Sequence, residues 1–120
     1  NTTVKLICLG GIYDKRSGGV LGSEVNRSIS KYNFNKGFVG SSGVNLITNS
    51  VYSGTLEDGN VKELVISNSK EAYLLVEKEK FNLDSTYRFA ALEEFSAIIT
   101  DSDITDEIRY KLKKLSVKLI

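Results

Sequence analysis

Two serines held between two glycines, Gly40-Ser41-Ser42-Gly43, are the residues of this chain best suited to seat a ligand, and Phe38-Val39 runs straight into them. Glycine permits positive φ and lacks the Cβ that would fend a ligand off. The hydroxyls of Ser41 and Ser42 supply donors beside backbone N–H groups. Read as a buried strand breaking into a turn, the stretch fits a binding crevice for an anionic sugar derivative, because ligands of open α/β sheets dock at the carboxyl ends of strands. An ordinary strand-to-loop turn is spelled the same way. Lys80 follows the apolar run Ala72–Val76, and Lys62 lies one place after Val61 on a helical stretch. A lysine at either place offers a mobile point charge for phosphate. Taken singly, each also reads as a solvated surface residue.

Other spacings carry less. No G-x-G-x-x-G and no G-x-x-x-x-G-K-[ST] occurs, which removes the dinucleotide and nucleotide phosphate loops. Gly18-Gly19-Val20-Leu21-Gly22 precedes a helical pattern, where it either cradles phosphate or shapes a turn. Asp101, Asp103 and Asp106 suggest a calcium loop, but the sixth and twelfth positions hold Asp106 and Leu112 instead of Gly and Glu. They read as the end of a strand and the start of a helix, with Ser102 or Asp103 as N-cap. The chain has no His, so histidine-based triads and histidine metal sites are absent, and neither a catalytic residue, a metal nor a cofactor is expected.

The elements that must position these residues follow from periodicity. Val4–Leu9 is a short apolar run closed by Gly10-Gly11 and reads as a buried strand, with Cys8 as a small buried hydrophobe. Ile12–Gly19 reads as a polar loop. Leu21, Val25, Ile29 and Tyr32 stripe a helix beginning near Gly22-Ser23-Glu24. Lys36–Val39 is the strand that feeds the glycine turn, and Asn45–Thr55 a hydroxyl-rich connection. Val61, Leu64, Val65 and Asn68 mark a second helix, with Glu57 and Asp58 in its first turn, where negative charge suits the helix dipole. Strands are expected at Ala72–Val76, around Arg88–Ala91, at Ala97–Thr100 and at Val117–Ile120. A last helix carries Ile104, Ile108, Leu112 and Leu115. Strands alternating with helices predict a mostly parallel α/β sheet.

Bulk composition agrees with one domain, or part of one. The 120 residues are 41% hydrophobic and 26% charged, with a formal net charge of +1. That balance argues against a dedicated nucleic-acid surface. One cysteine allows no intrachain disulfide, which fits a reducing, cytoplasmic compartment. No run approaches a membrane span. The absence of Met and a start at Asn1, close to a strand, suggest an excised piece of a longer protein.

Taken together, Leu9-Gly10-Gly11 with the later Gly22, Phe38-Val39-Gly40-Ser41-Ser42-Gly43-Val44, Asp58-Gly59-Asn60-Val61-Lys62, Leu74-Leu75-Val76-Glu77-Lys78-Glu79-Lys80-Phe81 and Ile99-Thr100-Asp101 occur in the order and at the spacing of the effector-binding domain of the DeoR family of bacterial sugar-metabolism repressors, which the chain resembles over nearly its whole length. The resemblance implies a Rossmann-like sheet of the ribose-5-phosphate isomerase-like type. It also implies a phosphorylated sugar as effector, self-association as a homo-oligomer, and DNA contact only through an N-terminal winged helix-turn-helix outside residues 1–120. The first half of the effector domain, with its D-x-G-T-T phosphate loop, lies outside this chain as well. In that frame Gly40, Ser41, Ser42 and Gly43 hold the sugar or its phosphate, Asp58 accepts from sugar hydroxyls, and Lys62 and Lys80 supply positive charge. Asn35, Asp58, Gly59, Glu77 and Glu79 depart from the family pattern, and the glutamates beside Lys80 weaken its pull on phosphate. An isomerase-like enzyme is the competing reading. Aligned on Gly40, however, the two acids that serve proton transfer in such isomerases become Ser42 and Asn45, neither of which is a carboxylate base. An unrelated doubly wound binding domain is the third.

Overall fold

In the computed structural model, which describes residues 3–120, the strand-helix alternation resolves into a hairpin, two three-stranded sheets and three helices. The hairpin is β1 (Ile12–Asp14) and β2 (Gly19–Leu21). Next come α1 (Ser23–Ile29), β3 (Phe34–Gly40), β4 (Gly43–Asn45) and β5 (Ser50–Ser53). They are followed by α2 (Leu56–Ser67), β6 (Ser69–Val76), β7 (Tyr87–Ala90), β8 (Ala97–Thr100) and α3 (Asp106–Lys114). Strands β3, β6 and β8 form a parallel sheet with β6 in the middle, and β4, β5 and β7 an antiparallel one. The expected α/β class and Rossmann-like parallel sheet are present.

The core follows from the two-residue period of the strands. Val39, Leu74 and Ile98 lie in register across the parallel sheet and are all buried. They share one apolar cluster with Val44, Val51 and Phe89 of the antiparallel sheet and with Ile108 and Leu112 of α3. Burying each such side chain stabilises the fold by about 1.5–3 kcal/mol. Helix α2 packs on β3 and β6 and against β7. It approaches β7 closely at Gly59, where a Cβ would stand 2.3 Å from the Tyr87 ring.

Several expectations are corrected. Val4–Leu9 forms no strand, and Val4, Leu6, Ile7 and Cys8 are exposed rather than buried. Apolar character selects a strand only where a neighbouring ladder receives it, and this run pairs with no strand among the described residues. Ile12–Gly19 is a hairpin arm and turn rather than a loop, so Leu21 ends a strand instead of starting a helical stripe, and Tyr32 lies beyond α1. The connection Asn45–Thr55 contains β5, whose hydroxyls Ser50 and Ser53 are buried with hydrogen bonds to nearby backbone carbonyls. The N-cap of α3 is Thr105, which accepts from the Ile108 N–H at 3.2 Å; neither Ser102 nor Asp103 fills that place. At Val117–Ile120 a single parallel bridge, Ile98 to Leu119, replaces the expected strand.

Candidate functional site

Strand direction decides where the chemistry collects. All three parallel strands end on the same side, and α2, which returns the chain to the start of β6, presents its first turn there as well. Chain direction puts the glycine turn, the first turn of α2 and the segment after β6 toward the carboxyl end of the sheet, but Gly40 and Ser41 line one cleft and Asp58 another, and neither cleft is lined by Lys62 or Lys80.

A cleft of about 410 Å³ opens at the three strand tips. It is lined by Gly40 and Ser41 at the end of β3, Leu75, Val76 and Glu77 at the end of β6, and Ile99, Thr100 and Asp101 at the end of β8. Gly40 faces open space, and a Cβ added there would meet nothing within 4 Å. The Ser41 hydroxyl oxygen is buried without a partner. Thr100 donates its hydroxyl to the Val76 carbonyl, which ties two of the tips together. Asp101 accepts from the Lys78 backbone N–H at 2.8 Å, and the Lys78 ammonium turns away to pair with Asp103. The cleft thus offers two carboxylates and hydroxyls, and its lining includes no cation. Such a set suits the hydroxyl groups of a carbohydrate better than its phosphate.

The other expected residues divide. Ser42 uses both its N–H and its hydroxyl on the Tyr52 carbonyl, at 2.8 and 3.1 Å, and so fastens the turn to β5. Gly43 is buried, and a Cβ there would meet the Leu83 carbonyl oxygen at 2.5 Å. The close approach that this glycine permits is made by the chain itself. Neither Gly40 nor Gly43 needs positive φ; Gly18 and Gly22 adopt it instead. Asp58 and Lys62 form an ion pair at 3.0 Å, and the Lys62 ammonium lies 5.4 Å from the centroid of the Phe89 ring. Asp58 lines a second, smaller cleft of about 220 Å³ with Asp14, Arg16, Ser17, Gly54 and Thr55. Asp14 is held below the usual carboxylate range by the Ser17 backbone N–H and hydroxyl. Lys80 sits half-buried in a 3-10 turn, its N–H donating to the Glu77 carbonyl, and its ammonium makes no ion pair among the described residues.

The positions that would carry isomerase acids are committed to structure. Besides the use of Ser42 on Tyr52, Asn45 donates to Asp84 at 2.7 Å and accepts from the Ile47 and Thr48 N–H groups. What sequence reasoning missed is the role of Glu77, Thr100 and Asp101 as cleft lining, and Arg16 in the smaller cleft. The usable signal was place rather than type: each of the first three lies at or one past the end of a parallel strand.

Residues 1–102 match the family described as the DeoR C terminal sensor domain. The chain is similar to the HTH-type transcriptional regulator IolR of Bacillus subtilis, with 27% identity over 87% of this chain and 41% of that protein. It is 30% identical to the lactose phosphotransferase system repressor of Lactococcus lactis, over 88% of this chain and 40% of that protein. To the HTH-type transcriptional repressor GlcR of Bacillus subtilis it is also 30% identical, over 82% and 37% respectively. The chain spans about two fifths of the length of these curated relatives.

Proposed function

The chain belongs to the DeoR C-terminal sensor domain family, and from that premise we propose that it senses a phosphorylated sugar on behalf of a transcriptional regulator of sugar metabolism. The family is a sensor family and the relatives are transcriptional regulators, so the domain is a ligand sensor rather than an enzyme. The observation that carries the ligand reading is the cleft at the tips of β3, β6 and β8, with an unpartnered Ser41 hydroxyl and the carboxylates of Glu77 and Asp101.

In this reading the sugar's hydroxyl body lies over Gly40 and donates to Glu77 and Asp101. Its phosphate is repelled by those carboxylates and is drawn to Lys80, whose charge no acid neutralises within ion-pair distance among the described residues. Asp58 and Lys62 neutralise each other and support the rim. Effector binding favours one arrangement of the regulator over another and so biases its N-terminal DNA-binding heads, a population shift set by differential affinity. Operation as a homo-oligomer in the cytoplasm completes the proposal. Among the described residues no helix is long and apolar enough to cross a membrane.

A thermal-shift screen of the full-length regulator against paired phosphorylated and free sugars tests it. A bound effector at 100 times its Kd adds about 2.7 kcal/mol of stability. Stabilisation by a phosphorylated sugar, without its turnover, is the expected result. Stabilisation by free sugars alone, or turnover of the phosphorylated one, contradicts the reading.

A further inference from the structure

Lys80 lines neither cleft, so its use to a phosphate depends on what fixes the backbone that carries it. That backbone is the 3-10 turn Lys78–Lys80, which leaves β6 just past its end. Its own hydrogen bonds run from the Lys80 N–H to the Glu77 carbonyl at 2.9 Å and from the Phe81 N–H to the Lys78 carbonyl at 3.4 Å. So short a turn holds poorly by itself. Downstream it is fastened to β4: Phe81 is buried and bridges Val44, and the Asn82 N–H donates to the Val44 carbonyl at 2.7 Å. Upstream, the fastening comes from the segment at the end of β8. The Thr100 hydroxyl donates to the Val76 carbonyl, and the Asp101 carboxylate accepts from the Lys78 N–H at 2.8 Å. The Lys78 ammonium pairs with Asp103, but both side chains are exposed and such a pair contributes little. Asp101 is therefore the side chain that holds the main chain at the head of the turn.

We propose that Asp101 is a positioning residue for the effector's phosphate: by holding the Lys78 N–H it fixes the turn that carries Lys80, and so sets where the Lys80 ammonium can reach. The inference rests on the reading that Lys80 receives the phosphate, and adds the residue that makes this lysine usable. Asp101 also lines the cleft, so its two influences on phosphate have opposite signs. As a bare negative charge it repels the anion, and removing it would tighten binding. As an anchor it serves the anion, and removing it loosens binding. Asparagine separates the two, because it keeps an acceptor oxygen for the Lys78 N–H and loses the charge.

The test is calorimetric titration of the full-length regulator with inorganic phosphate, in the wild type, Lys80→Ala, Asp101→Ala, Asp101→Asn and the double variant of the two alanines. Amide hydrogen exchange through residues 78–82 is followed in the same proteins without phosphate. Lys80→Ala is expected to weaken phosphate binding roughly tenfold or more. Asp101→Ala should weaken it about threefold or more, with faster exchange at the Lys78 and Lys80 amides. Asp101→Asn should bind at least as tightly as the wild type, and the double variant no more weakly than Lys80→Ala. If Lys80→Ala loses affinity while Asp101→Ala keeps or gains it, the positioning role alone is overturned. Wild-type amide exchange in Asp101→Ala contradicts it as well, as does equal weakening by alanine and asparagine or a further loss in the double variant. Unchanged affinity in Lys80→Ala overturns the phosphate reading of Lys80, and the positioning role with it.

Discussion

Lys62 and Asp58 hold each other at 3.0 Å, one turn apart on α2, with side chains only 18% and 26% exposed. The lysine that follows the Val61 position is therefore a neutralised partner rather than a free cation. Lys80, in the segment after β6, has no such acid within reach among the described residues. This difference separates two residues that look alike in the sequence.

Replacing them separately in the full-length regulator should give opposite profiles. Lys80→Ala is expected to weaken effector binding by the loss of one charge-assisted contact, about 1.5–3 kcal/mol or roughly ten- to a hundredfold, with stability unchanged. Lys62→Ala is expected to leave affinity within about threefold and to cost about 1 kcal/mol of stability, because the pair is partly screened and its loss strands Asp58. Calorimetric titration and chemical denaturation of the two variants check this.

The two glycines of the turn should also part company. Gly43→Ala drives a methyl group against the Leu83 carbonyl oxygen, a backbone atom that cannot step aside, and is expected to destabilise the protein by about 1–3 kcal/mol. Gly40→Ala meets open space and should change stability by no more than about 0.5 kcal/mol. Urea denaturation midpoints of the two variants distinguish a clash from a vacancy.

Acid should release one link near the cleft. A hydrogen bond from the Lys78 ammonium, with its charge, holds the Asp103 carboxyl below its ordinary value of 3.8. The same hydrogen bond and charge hold Lys78 above 10.5. Folded Asp103 binds its proton less readily than the unfolded chain does, so its contribution is complete above pH 3.8 and disappears as pH falls through the depressed folded value. The Lys78 contribution is complete below pH 10.5 and disappears as pH rises through its raised folded value. Both groups are exposed, so the effect is small. Asp103→Asn is expected to flatten the acid limb of stability against pH below 3.8, measured by denaturation at matched ionic strength.

The parts of the fold legible in the sequence were those whose partners lie within it. Val39, Leu74 and Ile98 alternate with outward residues and find one another across β3, β6 and β8, so their strands could be read locally. Val4–Leu9 has equal apolar character and no ladder to join, and a pattern of residue types does not reveal a missing neighbour. The antiparallel sheet was half hidden, because Ser50-Val51-Tyr52-Ser53 buries hydroxyls that satisfy themselves on backbone carbonyls, which periodicity alone scores as loop. At the site, Gly40 and Ser41 were found by type. Glu77, Thr100 and Asp101 were reachable only through the knowledge that three parallel strands end together.

The effector reading stands or falls with the cleft beneath Gly40 at the strand tips, and calorimetric titration of Gly40→Val in the full-length regulator is the decisive experiment. The probe is whichever phosphorylated sugar stabilises the wild-type regulator. A Cβ at this position meets nothing within 4 Å and Gly40 lines the cleft, so affinity should fall tenfold or more, about 1.4 kcal/mol or above, while the melting temperature of the free protein stays where it was. Wild-type affinity in a variant with an unchanged melting temperature would place the effector elsewhere and overturn this assignment.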